Sequence, residues 1–292
     1  MGKLLIINAD DFGLDEDVNL GILEGHRAGL VRSASLMVTM PAAEAAADVA
    51  RAQSGLEIGL HINITEGRCL SPPGKLRPLV DDDGTFRFDT ADVANSIRTL
   101  RRAIEEDSGL ADRVVAEVLC QIERFRDLGL KLAHLNAHHY WPLIHPRLYT
   151  CYVKIAEQAG VPFRSLCQPM LDLLGTPVEH IAEMAETTRS ARVPSPAVSL
   201  SNPLDATEDH IRSPEWHRSL IEEKLAEFST QPEIGAVELI THPAMTGTRE
   251  ADVYAWARRV ESALVHSEDF RRTVDRLGYV ACGYSALSGN DH

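Results

Sequence analysis

Short apolar runs that alternate with amphipathic helical stretches are the feature that most restricts the fold of this chain. The first covers residues 4–13; it is aliphatic on both faces, stops on two adjacent carboxylates and turns at a glycine, as a strand buried on both sides would. Predicted helices separate it from further runs at 33–39, 56–63, 131–139, 161–164, 236–243 and 279–282. This alternation predicts a parallel α/β sheet of about seven strands, closed as a distorted (β/α) barrel similar to a TIM barrel.

The length of the chain favours a single domain covering residues 1–292, since α/β barrels of this size commonly do not subdivide. Two segments interrupt the alternation, a long loop at about 65–92 and an irregular stretch at about 187–212. We interpret the first loop as a lid or substrate wall because it follows a strand that ends in His61. The alternative is a tolerated surface insertion.

Charge and cysteine content restrict the partners and the compartment. The formal net charge of −14 argues against a nucleic acid or an anionic membrane surface as partner. Five scattered cysteines indicate reduced thiols in a cytoplasmic protein. The N-terminal apolar run is too short for a signal peptide, and no segment approaches the length of a membrane span.

Four predicted strands end in residues that can bind a metal or move a proton. They are the pair Asp10 and Asp11, then His61, the pair His138 and His139, and His242. Strand ends converge at one rim of a βα barrel, and one carboxylate with two imidazoles is a common ligand set for a divalent cation. The second carboxylate could act as general base on water activated by the ion, so the pattern predicts metal-assisted hydrolysis.

Each of these residues also has a structural interpretation. The adjacent acids could cap the following helix or turn, and His61 alone could be a hydrogen-bonded core histidine. His138 and His139 alternate across a strand, so we expect at most one of them to point inward. His134 is expected to be structural and His145 to be a helix cap. The sequence has neither a Gly-x-Ser-x-Gly elbow nor a phosphate loop, and no cysteine at a strand end beside a histidine.

The chain resembles the YdjC-like (ChbG/HpnK) carbohydrate deacetylase family in motifs spread over nearly its whole length. The matching stretches are residues 8–13, 35–37, 59–63, 134–139, 162–164, 238–243 and the helix around 258–264. The resemblance implies a distorted barrel that hydrolyses the N-acetyl group of an amino sugar with one divalent metal ion, Mg or Zn. By position, it implies that Asp11, His61 and His138 hold this ion.

The same resemblance implies catalytic roles for three further residues. Asp10 would be the general base, and His242 the general acid or a donor to the oxyanion. Arg164 would orient Asp10 and keep it ionised. We expect Asn63 and Tyr140, together with Trp141, to bind the substrate.

The sequence departs from the family pattern near the histidine cluster. Asn136 stands where the family commonly has an acid, Tyr140 replaces a later histidine, and Ala244 replaces a glycine. These changes leave the predicted ligands intact but indicate a remodelled pocket wall.

The leading hypothesis is therefore a cytoplasmic deacetylase of a small acylated amino sugar. Two alternatives stay open: an amide or ester hydrolase acting on a non-sugar metabolite, and a non-catalytic binding protein. The oligomeric state is open as well, with a homodimer as one candidate.

Overall fold

The computed structural model describes residues 2–89, 92–201, 213–245 and 255–289. Its strands are β1 Lys3–Phe12, β2 Ser33–Leu36, β3 Glu57–Ile62, β4 Leu135–Ala137, β5 Val198–Leu200, β6 Ala236–Thr241 and β7 Tyr279–Cys282. Its helices are α1 Glu16–Arg27, α2 Ala43–Arg51, α3 Pro73–Leu76, α4 Val93–Glu106, α5 Leu110–Asp127, α6 Pro146–Ala159, α7 Gln168–Leu173, α8 Val178–Ser190, α9 Pro214–Ser229, α10 Ala255–Val265 and α11 Glu268–Arg276. Among the described residues, 3-10 segments cover His138–Ile144 and Tyr284–Gly289.

The seven strands form one sheet in which β1 is central. The spatial order is β4-β3-β2-β1-β6-β5, and β7 also pairs with β1. The ten residues of β1 are long enough to pair with β6 along 4–9, with β7 along 3–6 and with β2 at the carboxyl-terminal half. Each pairing between these strands is parallel, so their carboxyl ends lie at one rim.

Residues 162–164 connect the two edges of this sheet. Leu135 of β4 makes an isolated parallel bridge with Phe163, whose backbone N–H donates to the carbonyl of Pro194 at 3.2 Å. The chain then leads from Pro194 into β5 at the opposite edge. The sheet is therefore curled into a distorted α/β barrel, as predicted, with irregular backbone at the closure.

Two details of the predicted elements were wrong. Residues 161–164, predicted as a strand, make only the single bridge, and the seventh strand is instead β5. This strand has three residues and follows prolines, so it shows no periodicity that a sequence could reveal. The sequence also predicts a helix near 251–265. Residues 251–254 of this helix and residues 202–212 of the predicted irregular stretch lie outside the described residues.

A glycine ends β1 and turns the chain into α1. Gly13 has a φ of +89°, and a Cβ there would lie 2.9 Å from Cδ1 of Leu36 and 3.0 Å from Cα of Ala43. No other residue fits this turn without a shift of its neighbours. Asp15 then caps α1 by accepting from the N–H of Val18 at 2.9 Å.

Candidate metal centre and active site

A bulge at the end of β1 brings Asp10 and Asp11 into the same site. Consecutive side chains of a regular strand point to opposite faces. Here the pairing with β2 shifts register between Ala9 and Phe12, and Asp11 has a left-handed φ of 68°. Both carboxylates consequently lie near Nε2 of His61, with Asp11 Oδ1 at 3.3 Å and Asp10 Oδ2 at 3.9 Å.

Three of the predicted residues form a compact group of candidate metal ligands. Asp11 Oδ1 lies 3.3 Å from His61 Nε2 and 3.1 Å from His138 Nδ1, and the two ring nitrogens are 3.2 Å apart. All three residues are buried. Ligand atoms about 2.0–2.1 Å from a tetrahedral ion lie roughly 3.3 Å apart, so this triangle has the size of one coordination face.

Hydrogen bonds from residues outside this group orient the rings of His61 and His138 so that their inner nitrogens, Nε2 and Nδ1, face Asp11. Nδ1 of His61 lies 2.8 Å from Oδ1 of Asn136, and Nε2 of His138 lies 3.1 Å from Oε2 of Glu66. Amide and carboxylate oxygens only accept, so in the neutral form that binds a metal ion the outer nitrogens of both rings carry the hydrogens. The orientation of the Asn136 amide follows from its Nδ2, which donates to Asp10 Oδ1 at 2.9 Å and Ser35 Oγ at 3.0 Å.

The charge around the group fits a cation. Asp11 Oδ1 is buried and has no hydrogen-bond donor in suitable geometry among the described residues, while Arg258 donates to Oδ2 at 2.8 Å. Burial opposes charge on Asp11, but Arg258 and His138 keep the pKa of its carboxyl well below the usual range. Burial likewise opposes protonation of His138, yet Asp11 and Glu66 raise its pKa to about 9. The residues therefore fit a divalent ion, as a buried Asp/His/His set should.

Asp10 accepts an unusually large number of hydrogen bonds. Its Oδ1 accepts from Asn8 Nδ2 at 2.6 Å, Ser35 Oγ at 2.9 Å, Asn136 Nδ2 at 2.9 Å and Arg164 Nη2 at 2.9 Å. Its Oδ2 accepts from Arg164 Nη1 at 2.7 Å and also lies 3.9 Å from Nε2 of His242. Burial would raise the pKa of Asp10, but Arg164 and His61 hold it far below its usual range. Oδ2 is the oxygen with room for a new proton donor.

Arg164 is held in a buried network of two carboxylates. It makes the paired contact to Asp10, and its Nε and Nη2 donate to Oε1 of Glu238 at 2.9 and 2.7 Å. Glu238 also accepts from Tyr284 at 2.6 Å and Ser199 at 2.9 Å. The guanidinium is therefore fixed from both sides and holds Asp10 in one orientation.

His242 follows β6 and forms a pair with Glu261 of α10. The backbone N–H of His242 donates to Glu261 Oε2 at 2.6 Å, and Nδ1 lies 3.2 Å from the same oxygen. Burial opposes protonation of His242, but Glu261, Asp11 and Asp10 together raise its pKa. Because Nδ1 is committed to Glu261, Nε2 is the nitrogen that faces Asp10.

The three predicted substrate-binding residues occupy different environments. Asn63 is wholly buried and its amide bonds the turn at residues 65–66. Trp141 is 2% exposed, and its Nε1 donates to the carbonyl of Ile62 at 3.2 Å. The ring of Tyr140 is half-buried and lies 5.9 Å from the guanidinium carbon of Arg164. Tyr140 is thus the one of the three that lies beside the catalytic candidates; substrate contact stays a prediction for all three.

The remaining histidines near the site separate into distinct roles. His139 does not alternate with His138 as predicted, because β4 ends at Ala137 and His139 has a φ of 54°; the two ring centroids lie 3.8 Å apart with the ring planes tilted by 32°. His134 is buried against Tyr284, with ring centroids 3.9 Å apart, which is a structural position as expected. His145 caps α6 by accepting from Arg147 N, also as expected.

Sequence reasoning missed four charged residues of the site: Glu66, Glu238, Arg258 and Glu261. Arg258 and Glu261 are three residues apart on α10 and are buried beside Ala257, Val260 and Leu264. The sequence signal that could have revealed them was the placement of charged residues on the helix face that the apolar residues mark as buried. Glu238, inside an otherwise apolar strand, gave a similar signal.

Comparison with known proteins identifies the family of the chain. The model of the YdjC-like protein family matches residues 4–276, nearly the whole chain. The chain belongs to the YdjC-like family. The resemblance inferred from the motifs is therefore confirmed, and the strand ends that carry the candidate ligands all lie within the matched region.

Curated relatives of this YdjC-like chain are named carbohydrate deacetylases. One from Listeria monocytogenes serotype 4a (strain HCC23) is 31% identical over 270 residues, which cover 88% of this chain and 96% of that protein. One from Vibrio cholerae serotype O1 (strain M66-2) is 37% identical over 162 residues, or 56% of this chain and 58% of that protein. A third, from Brevibacillus brevis, is 38% identical over 161 residues and covers 55% of this chain and 58% of that protein.

A solved structure shows the same fold. The crystal structure from Enterococcus faecalis V583, provisionally assigned as a cellobiose-phosphate cleavage protein, superposes with a TM-score of 0.76 at 23% identity. The match covers 98% of this chain and 99% of that one. Within the part of the chain described here, no helix is both long and apolar enough to cross a membrane.

Proposed function

We propose that this protein is a metal-dependent hydrolase that removes the N-acetyl group from an amino sugar and releases acetate and a free amine. The observation that carries the proposal is the convergence of Asp11, His61 and His138 beside Asp10, in a chain whose relatives are named carbohydrate deacetylases. A divalent ion, Mg or Zn, held by the three residues would supply the positive charge that activates a water and polarises the amide carbonyl.

Asp10 is the proposed general base. Its Oδ1 is occupied by four donors, so Oδ2 is the oxygen that takes the proton of the attacking water. The bidentate contact from Arg164 fixes the direction of this oxygen. The low pKa of Asp10 keeps its carboxylate ionised before the reaction. For the same reason, the carboxyl group readily gives up the proton of the attacking water to a stronger base.

His242 is the proposed general acid. Its Nε2 lies 3.9 Å from Asp10 Oδ2, so a single substrate or water atom can contact both groups. Glu261 holds Nδ1 and favours the protonated ring, which can then donate from Nε2 to the leaving amine nitrogen. One turnover is balanced once the proton accepted by Asp10 has passed to the neutral ring of His242, which restores both groups to their starting forms.

Tyr140 is the proposed contact with the sugar. It lies beside Arg164 and replaces a histidine of the family pattern, so it changes the wall of the pocket. A cytoplasmic location is supported by five free cysteines. A homodimer is proposed as the oligomer to test by light scattering.

The experiment is acetate release from N-acetylglucosamine and its oligomers, run against a panel of acylated non-sugar amines and esters with the metal-loaded chain. Faster turnover of the acetylated sugars supports the proposal. Preferential turnover of a non-sugar amide or ester overturns the substrate class, and no turnover of any substrate by a chain that binds metal favours a binding protein.

A further inference from the structure

We propose that Glu66 is a positioning residue for the metal centre. By holding the ring of His138 in one orientation and one tautomer, it would set the affinity of the site for a divalent cation. The inference rests on the proposed function, because it requires His138 to be a ligand. It adds a residue of the 65–89 segment to a site otherwise formed by strand ends and α10.

The contact between Glu66 and His138 has the geometry of a carboxylate–histidine pair. Oε2 of Glu66 lies 3.1 Å from Nε2 of His138, and the opposite nitrogen, Nδ1, faces Asp11 and His61. A carboxylate can only accept, so the neutral ring keeps its hydrogen on Nε2 and its lone pair on Nδ1. Partners of this kind fix the orientation of a metal-binding imidazole and raise its basicity.

The backbone at Glu66 is held rigidly by Asn63. Oδ1 of Asn63 accepts from the N–H groups of Thr65 at 3.1 Å and Glu66 at 3.0 Å, and its Nδ2 donates to the carbonyl of Glu66 at 2.6 Å. The wholly buried side-chain amide of Asn63 therefore hydrogen-bonds both the N–H and the carbonyl of Glu66. This explains the buried position of Asn63 without a direct contact to substrate.

The turn is anchored in addition to α5. Gln121 donates to the carbonyl of Asn63 at 2.6 Å and accepts from its N–H at 3.0 Å. Glu117, also wholly buried, accepts from Gln121 and from the N–H groups of Leu70 and Ser71. The chain before and after Glu66 is thus fixed to one helix, so the carboxylate is preorganised rather than carried by a free loop.

A second ion shared by Glu66, His138 and His139 is the competing interpretation, since these residues also present ligand atoms close together. A neutral imidazole has one lone pair. If Nδ1 of His138 binds the ion beside Asp11, its Nε2 carries the hydrogen of the neutral ring and cannot bind another ion. Nδ1 of His139 is also already 3.0 Å from the hydroxyl of Thr65. One ion with Glu66 in support fits these contacts better than two ions.

The test is calorimetric titration of the metal-free chain with Zn²⁺ and, in parallel, with Mn²⁺. We expect one ion per chain in the wild type and in Glu66→Ala, with the affinity of Glu66→Ala weaker by about 10–100-fold. Glu66→Gln keeps an acceptor but no charge, so its affinity for the ion should lie between those of the wild type and Glu66→Ala. Asp82→Ala, on the same segment with a side chain 86% exposed, is the matched control and should bind as the wild type does. Thermal unfolding of each metal-free variant verifies that the fold is intact.

The outcomes separate this inference from the proposed function. Equal affinity of the wild type and both Glu66 variants overturns the role of Glu66 alone. Two ions per wild-type chain overturn it in favour of a shared second site. A wild-type chain that binds neither metal overturns the proposed function and this inference together.

Discussion

Asp10 Oδ2 and His242 Nε2 lie 3.9 Å apart across the site. This separation is too long for a direct hydrogen bond and short enough for one intervening atom to contact both groups. Each residue is held in its orientation by an ion pair with a partner of opposite charge, Arg164 for Asp10 and Glu261 for His242. The site therefore presents a proton acceptor and a proton donor at a fixed spacing, beside the candidate ligand Asp11.

Replacement of the base should separate catalysis from metal binding. Asp10→Asn is expected to reduce the rate of acetate release by about 10²–10⁴-fold, because the amide cannot accept the proton of the attacking water. Its metal content should stay near one ion per chain. Asp11→Asn, one residue away, is the matched control and should lose the ion as well as the activity. Wild-type turnover by Asp10→Asn would contradict the role of Asp10.

The pH dependence of kcat/KM should report His242. The protonated ring is the acid, so activity is present below its pKa and falls as pH rises through it. Glu261 helps to raise that pKa, and Glu261→Gln should therefore move the alkaline limb of the profile to lower pH. Glu268→Gln, on an exposed helix position, should leave the profile in place. An unchanged alkaline limb in Glu261→Gln would show that another group limits the rate there.

Loss of Arg164 should destabilise the fold. Arg164→Met leaves Asp10 and Glu238 buried without their shared cation, and the free energy of unfolding should fall by about 3–5 kcal/mol. Adding Glu238→Gln removes one of the two unpaired charges, so the double variant should recover part of the stability. It should not recover activity, because Asp10 still lacks its orienting contact. Urea unfolding and acetate release measure the two effects; equal stability of the single and double variants would contradict the prediction.

Removal of the metal should abolish acetate release reversibly. Dialysis against a chelator is expected to stop turnover, and added divalent ion should restore it. The ion binds the folded state, so at about 100 times Kd it should stabilise the chain by about 2.7 kcal/mol and raise the Tm. His61→Ala should show neither the recovery nor the rise in Tm. Full activity after complete removal of metal would exclude the proposed chemistry.

Two neighbouring aromatic residues should respond differently to substitution. Tyr140→Ala should raise KM by about 2–10-fold with a smaller effect on kcat, because it removes an aromatic wall beside Arg164. Trp141→Phe should lower the Tm and leave KM unchanged, since Trp141 lies in the core. A larger effect of Trp141→Phe on KM would reverse the assignment of these two positions.

The sequence was sufficient for the parallel α/β barrel and for the strand ends that carry the site. A strand buried on both faces and a helix with one apolar stripe have different periodicities, and β1, β3 and β6 showed theirs clearly. Parallel strands then place their carboxyl ends at one rim, so the pair Asp10 and Asp11, His61, the pair His138 and His139, and His242 were predicted as neighbours before any distance was known. The choice of Asp11 and His138 within the pairs came from the family resemblance.

Only the tertiary structure decided which atoms meet. The left-handed backbone conformation at Asp11 and at His139 interrupts the alternation of side chains between the two faces of a strand. No local pattern in the sequence predicts such an irregularity. Glu66, Glu238, Arg258 and Glu261 are distant along the chain from the residues that they contact. The role of such a charged residue can be recognised only when the structure shows that it is buried and which groups it contacts. The sequence by itself thus determined the elements and the rim at which chemistry occurs. Long-range packing determined the hydrogen bonds that orient each group, because those depend on contacts between elements rather than on the order of residues within them.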